Sequence, residues 1–230
     1  VSPGEIIGDA FGLYRAHWQH FGGVGLTVFF VVAMIALLLA FFGVVGLFLG
    51  QIVVIVGSIV LTGALVTAVD DVRDGRVDLS VGETIARVRP IFAVLLGVAI
   101  VAGIAISIGL VFFIIPGLWL ATIWFVLAPV VVLERAGFGE SFGRSRSLVK
   151  QSGWATLGLL VLTFLILFAA GFIVALILSP FPIFLANFIS VLVQGAVFAP
   201  FTSIVITLAY FKLRELEGAA APELGVAEAG

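Results

Sequence analysis

Hydrophobic residues in this chain run in long unbroken blocks, not in the alternation of a half-buried strand. Residues 16–69, 90–133 and 151–211 contain no Asp, Glu, Lys or Arg. A helix needs about 20 apolar residues to cross the ~30 Å hydrocarbon layer of a bilayer. Each block therefore holds two spans and a tight turn. Helix breakers fall near the middle of each: Gly43, Gly46 and Gly50-Gln51, then Pro116-Gly117, then Ser179-Pro180-Phe181-Pro182. Proline lacks the N–H and glycine tolerates turn dihedrals, so both punctuate. The predicted spans are residues 22–48, 51–69, 91–114, 118–133, 155–178 and 183–211, the fourth being short. Lipid offers the backbone no hydrogen-bond partner, so spanning segments are helices or a closed barrel, and unbroken blocks select helices.

The polar intervals between blocks repeat. Gly-Glu occurs at Gly4-Glu5, Gly82-Glu83 and Gly139-Glu140, each opening a short amphipathic segment before a block. Ser2 and Ser80 stand three residues before Glu5 and Glu83. That is the capping-box spacing, in which serine and glutamate satisfy each other's free amides; Gly137 is a weaker cap for the third. Glu83 and Glu140 precede Arg87 and Arg144 by four residues, the favourable order for a helical ion pair. Ile7, Phe11, Tyr14 and Trp18 share one helical face, as do Phe138, Phe142 and Val149, which predicts helices lying in the headgroup plane. The fold class that follows is all-α: a polytopic membrane helical bundle of six transmembrane helices in three hairpins, each preceded by a short interfacial amphipathic helix. Residues 1–214 form a single membrane domain with repeat units at about 2–69, 80–133 and 137–211. Residues 215–230 read as a disordered cytoplasmic tail.

Composition agrees: 63% of residues are hydrophobic and 10% charged, against about 25% charged in soluble domains. Three hairpins place the termini and both connecting segments on one side, with all 11 Lys and Arg and all 13 acids. The positive-inside rule makes that side cytoplasmic, in the cell membrane. The opposite face has no charge to build a catalytic or binding domain. No cleavable leader is expected in the first 20 residues. Net charge is −2, so no nucleic-acid partner is expected, and the absence of cysteine removes disulfide and thiolate chemistry.

Candidate chemistry is sparse. His17 and His20 have no third ligand nearby and read as a polar edge beside Trp18; neither metal nor cofactor is expected. The spans hold no ionisable residue to serve as a proton relay, coupling-ion site or hydrolase. Glu134, at the end of span four, is expected to anchor that end or pair with Arg135 or Arg144. In span six Asn187, Ser190, Gln194 and Thr202 fall near one face. They line a substrate path or make interhelical hydrogen bonds, and Pro200 frees a carbonyl near Ala196. Pro129 is placed to kink span four. Arg87, Arg89, Arg144, Arg146 and Lys150 are candidates for holding anionic lipid headgroups, beyond signalling topology. Gly46-xxx-Gly50, Ala99-xxx-Gly103, Ala105-xxx-Gly109 and Gly171-xxx-Ala175 allow close helix contact.

Three stretches, 116–134 (Pro-Gly-Leu-Trp-Leu-Ala-Thr-Ile-Trp-Phe-Val-Leu-Ala-Pro-Val-Val-Val-Leu-Glu), 140–150 (Glu-Ser-Phe-Gly-Arg-Ser-Arg-Ser-Leu-Val-Lys) and 199–214 (Ala-Pro-Phe-Thr-Ser-Ile-Val-Ile-Thr-Leu-Ala-Tyr-Phe-Lys-Leu-Arg), join an N-terminal Gly-Glu-Ile-Ile-Gly-Asp-Ala-Phe-Gly-Leu-Tyr-Arg. Together they resemble the bacterial membrane family related to the membrane domain of glycerophosphoryl diester phosphodiesterases, from about residue 4 to 214. The resemblance implies a polytopic bundle at the cytoplasmic membrane. It does not imply phosphodiesterase activity, which in the fused enzymes belongs to a separate soluble domain. The sequence thus predicts a non-enzymatic protein with a lipid- or partner-organising role at the cytoplasmic face. Its partners would be membrane lipids, another membrane protein, or copies of itself in a homo-oligomer. The alternative is a transporter or lipid-handling carrier with a polar path along span six.

Overall fold

A computed structural model describes residues 2–72 and 78–227, with side chains described to residue 219. Arg73 and Arg76 lie outside the described residues. Among the described residues every regular element is helical: α1 (Pro3–Ala16), α2 (Trp18–Ala40), α3 (Gly43–Asp71), α4 (Val81–Ala86), a 3-10 turn (Arg89–Ile91), α5 (Phe92–Phe112), α6 (Ile114–Ile123), α7 (Leu127–Leu133), α8 (Phe138–Lys150), α9 (Gly153–Leu178), α10 (Ile183–Val193), a π turn (Gln194–Phe198) and α11 (Ala199–Ala227). Six continuous or nearly continuous helices among the described residues are long and apolar enough to cross a membrane. The protein is an all-α, multi-pass membrane bundle.

The turns sit where backbone chemistry allows them. The first falls at Phe41-Phe42 and not at Gly46 or Gly50, because Gly43 takes φ +65° there, a conformation that costs glycine little. Gly46 and Gly50 instead lie inside α3 and let α2 approach: a side chain at 46 would meet the Leu39 carbonyl, and Gly50 faces Ala36. The second turn is the extended residue Phe113. Pro116 sits in the first turn of α6, where a missing N–H is harmless, and Gly117 packs against Gly109 and Leu110. The third turn lies at Ser179–Pro182, as expected. Span four breaks between Ile123 and Leu127. Pro129 cannot donate to the carbonyl four residues back, that of Phe125, so the break falls one turn before it.

Burial is uneven. The core gathers at the end of the bundle opposite the turns: Leu61–Val69 of α3, Val126–Val132 around α7, and Phe201–Leu213 of α11, joined by Ile6, Ile7 and Ala10 of α1 and by Leu148 and Val149 of α8. Toward the turns the hairpins part, and Phe41, Phe42, Phe48, Val111–Ile115 and Phe181–Phe184 stand exposed. Only 6% of the apolar stretch of α9 is buried against protein. α3, with 29 residues, is about 43 Å long and overshoots a ~30 Å hydrocarbon layer.

The short helices pack into this core. α4 lies against α2 and α3, α8 against α5, α6 and α7, and α1 against α9 and α11. The inner face of α1 is Ile6, Ile7 and Ala10 with Leu13 and Tyr14, while Phe11 and Trp18 remain exposed at 53% and 59%. Ile7 and Tyr14 of the expected face thus turn inward, Phe11 sets its ring on Phe201 at 4.7 Å between centroids, and Trp18 lies beyond the end of α1, at the start of α2. α8 buries Ser141 and Ser145 beside Leu148 and Val149, because their hydroxyls donate to the carbonyls of Gly137 (2.6 Å) and Ile123 (2.9 Å). The capping box forms at Ser80 and Glu83. At Ser2 the side chain makes no cap bond, and at Gly137 only the glutamate half exists, the Gly137 N–H donating to Glu140 (3.2 Å). α11 runs well past Arg214, so the tail expected from residue 215 is helical at least through residue 219.

Candidate functional site

Two polar constructions stand out, one at the buried end of the bundle and one running from there toward the second turn. The first is an ion-pair network that ties three helices. Glu134 follows α7, and its carboxylate accepts from Arg144 Nε (2.8 Å) and Nη2 (3.2 Å) on α8, and from the Tyr210 hydroxyl (2.8 Å) on α11. Arg144 also donates to both oxygens of Glu217 (2.7 and 2.8 Å). Arg214 Nη1 reaches the Tyr210 hydroxyl at 3.4 Å. Burial pushes the Glu134 carboxyl up, but the bonds from Arg144 and Tyr210 outweigh it and hold it below the ordinary carboxylate value. The pairing with Glu217, then that with Glu134, holds Arg144 more firmly protonated than a free arginine. Glu134 thus pairs with Arg144, as expected. Arg144 does not pair with Glu140, whose carboxylate turns back to its own helix start.

The second construction is a groove of about 870 Å³ between α6 and the start of α9, floored by the end of α8. Ile115, Leu118 and Trp119 form one wall, Trp154 and Leu157 the other, and Val149 the floor. Arg146, Lys150, Gln151 and Ser152 line the same groove. Arg146 lies over the Trp119 ring, 5.9 Å from its centroid, a cation–π geometry. Neither Arg146 nor Lys150 has a carboxylate partner among the described residues. Trp154 is 87% exposed. Tryptophan favours the membrane–water boundary, with its ring in the apolar layer and its N–H toward water.

The five basic candidates therefore separate. Arg146 and Lys150 meet at the groove, Arg144 turns inward as a structural cation, and Arg87 and Arg89 are exposed beside α4, outside the groove lining. The polar candidates of span six separate too. Asn187, Ser190 and Gln194 are exposed on the bundle surface and Thr202 is half-buried, its hydroxyl donating to the Phe198 carbonyl (2.8 Å). None of the four lines the groove. The carbonyl freed by Pro200 is found where expected: Ala196 O accepts from the Tyr14 hydroxyl of α1 (2.9 Å), beside the π turn. Burial pushes the Tyr14 phenol up and keeps it a donor. His20 has the one buried side-chain nitrogen or oxygen without a hydrogen-bond partner among the described residues, its Nε2. No group of three metal-ligating side chains occurs among the described residues.

Trp119, Trp154, Tyr210 and Glu217 escaped the sequence reading. A tryptophan at the start of a span beside a basic segment is the signal that could have found Trp154. Nothing local marks Glu217, 73 residues from Arg144 in sequence. No family model matches the chain, nor does a curated protein or a solved structure.

Proposed function

We propose that this protein is a non-enzymatic component of the cell membrane that holds anionic phospholipid at its cytoplasmic face, both termini facing the cytoplasm. The observation that carries the reading is the pair Arg146 and Lys150, free of any carboxylate among the described residues, on a groove whose walls are otherwise largely apolar. A phosphate would sit between these cations, while an acyl chain would lie along Leu118 and Ile115. Each basic residue near an anionic surface contributes about 1 kcal/mol, so the pair supplies about 2 kcal/mol. The threefold organisation belongs to the same proposal. α4, α8 and α1 each pack against the hairpin that precedes them, counting α1 as following the last. The carrier reading is not favoured, because the polar residues of span six lie on the bundle surface.

Native mass spectrometry in gentle detergent tests the proposal. The wild-type protein is expected to retain anionic phospholipid, and the Arg146→Ala, Lys150→Ala pair to lose it, with occupancy falling roughly 30-fold for ~2 kcal/mol. Arg87→Ala with Arg89→Ala should leave retention unchanged. Equal lipid retention by the wild type and the groove variant would overturn the reading.

A further inference from the structure

The exposed face of span six carries a pattern the groove does not use. Ile183, Asn187, Ser190, Gln194 and Val197 are all exposed, at successive spacings of four, three, four and three residues. That is the seam of a helix pair, with a carboxamide at alternate seam positions. The segment rises about 22 Å from the turn at residues 179–182, so it lies within the ~30 Å hydrocarbon layer. Among the described residues no hydrogen bond engages the side chains of Asn187, Ser190 or Gln194. Exposed polar groups at this depth meet lipid, which offers neither donor nor acceptor.

We infer that this face pairs with the same face of a second copy of the chain. Two copies share one orientation in the membrane, so their two-fold axis runs along the membrane normal. Each residue of the seam then meets its own counterpart. A carboxamide presents an N–H₂ donor and a C=O acceptor, so Asn187 and Gln194 are each complementary to themselves. Ser190 between them is small enough for close approach. The seam has no charge, so identical faces do not repel. Ile183 and Val197 close it with apolar contact at either end.

The chain has no cysteine, so one substitution introduces one thiol. Ser190→Cys in native membranes, treated with a mild oxidant, is expected to give a disulfide-linked species of twice the chain mass. Phe168→Cys, on the exposed face of α9, should give only the collisional background. Adding Asn187→Leu and Gln194→Leu to Ser190→Cys should lower the dimer roughly tenfold, the effect of a few interhelical hydrogen bonds. The leucines replace exposed side chains that make no hydrogen bond among the described residues, so thermal stability of the protomer should stay close to that of the unsubstituted protein. A Ser190→Cys yield no greater than that of Phe168→Cys would overturn the inference. So would an unchanged yield with the leucine pair, or a cross-linked species of any other mass.

Discussion

Glu134→Ala is the sharpest test of what holds the buried end together. The substitution removes the acceptor of the Tyr210 hydroxyl, on a side chain with no exposed surface, and one of the two carboxylates on Arg144. A hydrogen bond to a charged group contributes about 1.5–3 kcal/mol, and breaking a fully buried pair costs about 3–5 kcal/mol. The Glu134 and Arg144 side chains keep 20% and 27% of their exposure, and Arg144 retains Glu217. These features place the cost at about 2–3 kcal/mol. At roughly 2–4 °C per kcal/mol for a chain of this size, Tm in detergent should fall by about 4–12 °C. Tryptophan fluorescence is the natural probe, since Trp124 packs on Phe142 of α8 at 5.0 Å. Glu134→Gln keeps an acceptor for Tyr210 and should lose about half as much. Glu217→Ala, which leaves Glu134 and Tyr210 in place, should cost about 1 kcal/mol or less. Equal losses at Glu134 and Glu217, or an unchanged Tm for Glu134→Ala, would refute the assignment of Glu134 as the centre of the network.

Further outcomes follow from the same contacts. Because the folded Glu134 carboxyl lies below its ordinary value of 4.5, its stabilisation is fully present above that value. It should disappear as pH falls through the lower folded value, so a pH series of Tm should show a decline in acid that Glu134→Gln lacks. Tyr14→Phe should cost about 0.5–1.5 kcal/mol by leaving the Ala196 carbonyl unpaired. Adding Pro200→Ala supplies a backbone N–H and should shrink that cost in a double-mutant cycle of thermal stabilities. Ser80→Ala should cost about 1 kcal/mol, whereas Ser2→Ala, with no cap bond to lose, should leave Tm unchanged. Gly195→Ala should cost about 1–3 kcal/mol, since a side chain there collides with Phe29 on α2, and chemical denaturation would measure it.

The spans were legible because charge-free blocks of this length admit few arrangements. Their ends were less so. Gly46 and Gly50 look like a turn in sequence, yet in space they are the close contact between α2 and α3, and only Gly43 needs the left-handed backbone. The ion pair expected within α8 failed for a similar reason. A four-residue spacing reports what is near along one helix, whereas Arg144 found better partners on two other segments. Ser141 and Ser145 were not singled out in sequence, because a serine carries no sign of burial, yet a hydroxyl that donates to a nearby carbonyl can be buried cheaply. The freed carbonyl at Ala196 could be anticipated because proline's missing N–H is a local fact. That Tyr14 would fill the vacancy depended on α1 crossing to the last hairpin, which no local pattern records.

The gathering of the core at one end means the molecule has a firm base and loose prongs. Contacts at the base fix how the six helices begin, and the surrounding acyl chains have most of the say in how far apart the tips stand. A bilayer of different thickness or lateral pressure would then alter the profile of one leaflet while leaving the base intact. Spin labels at Phe42 and Phe181 should show distances that change with acyl-chain length, against constant distances between labels at the base.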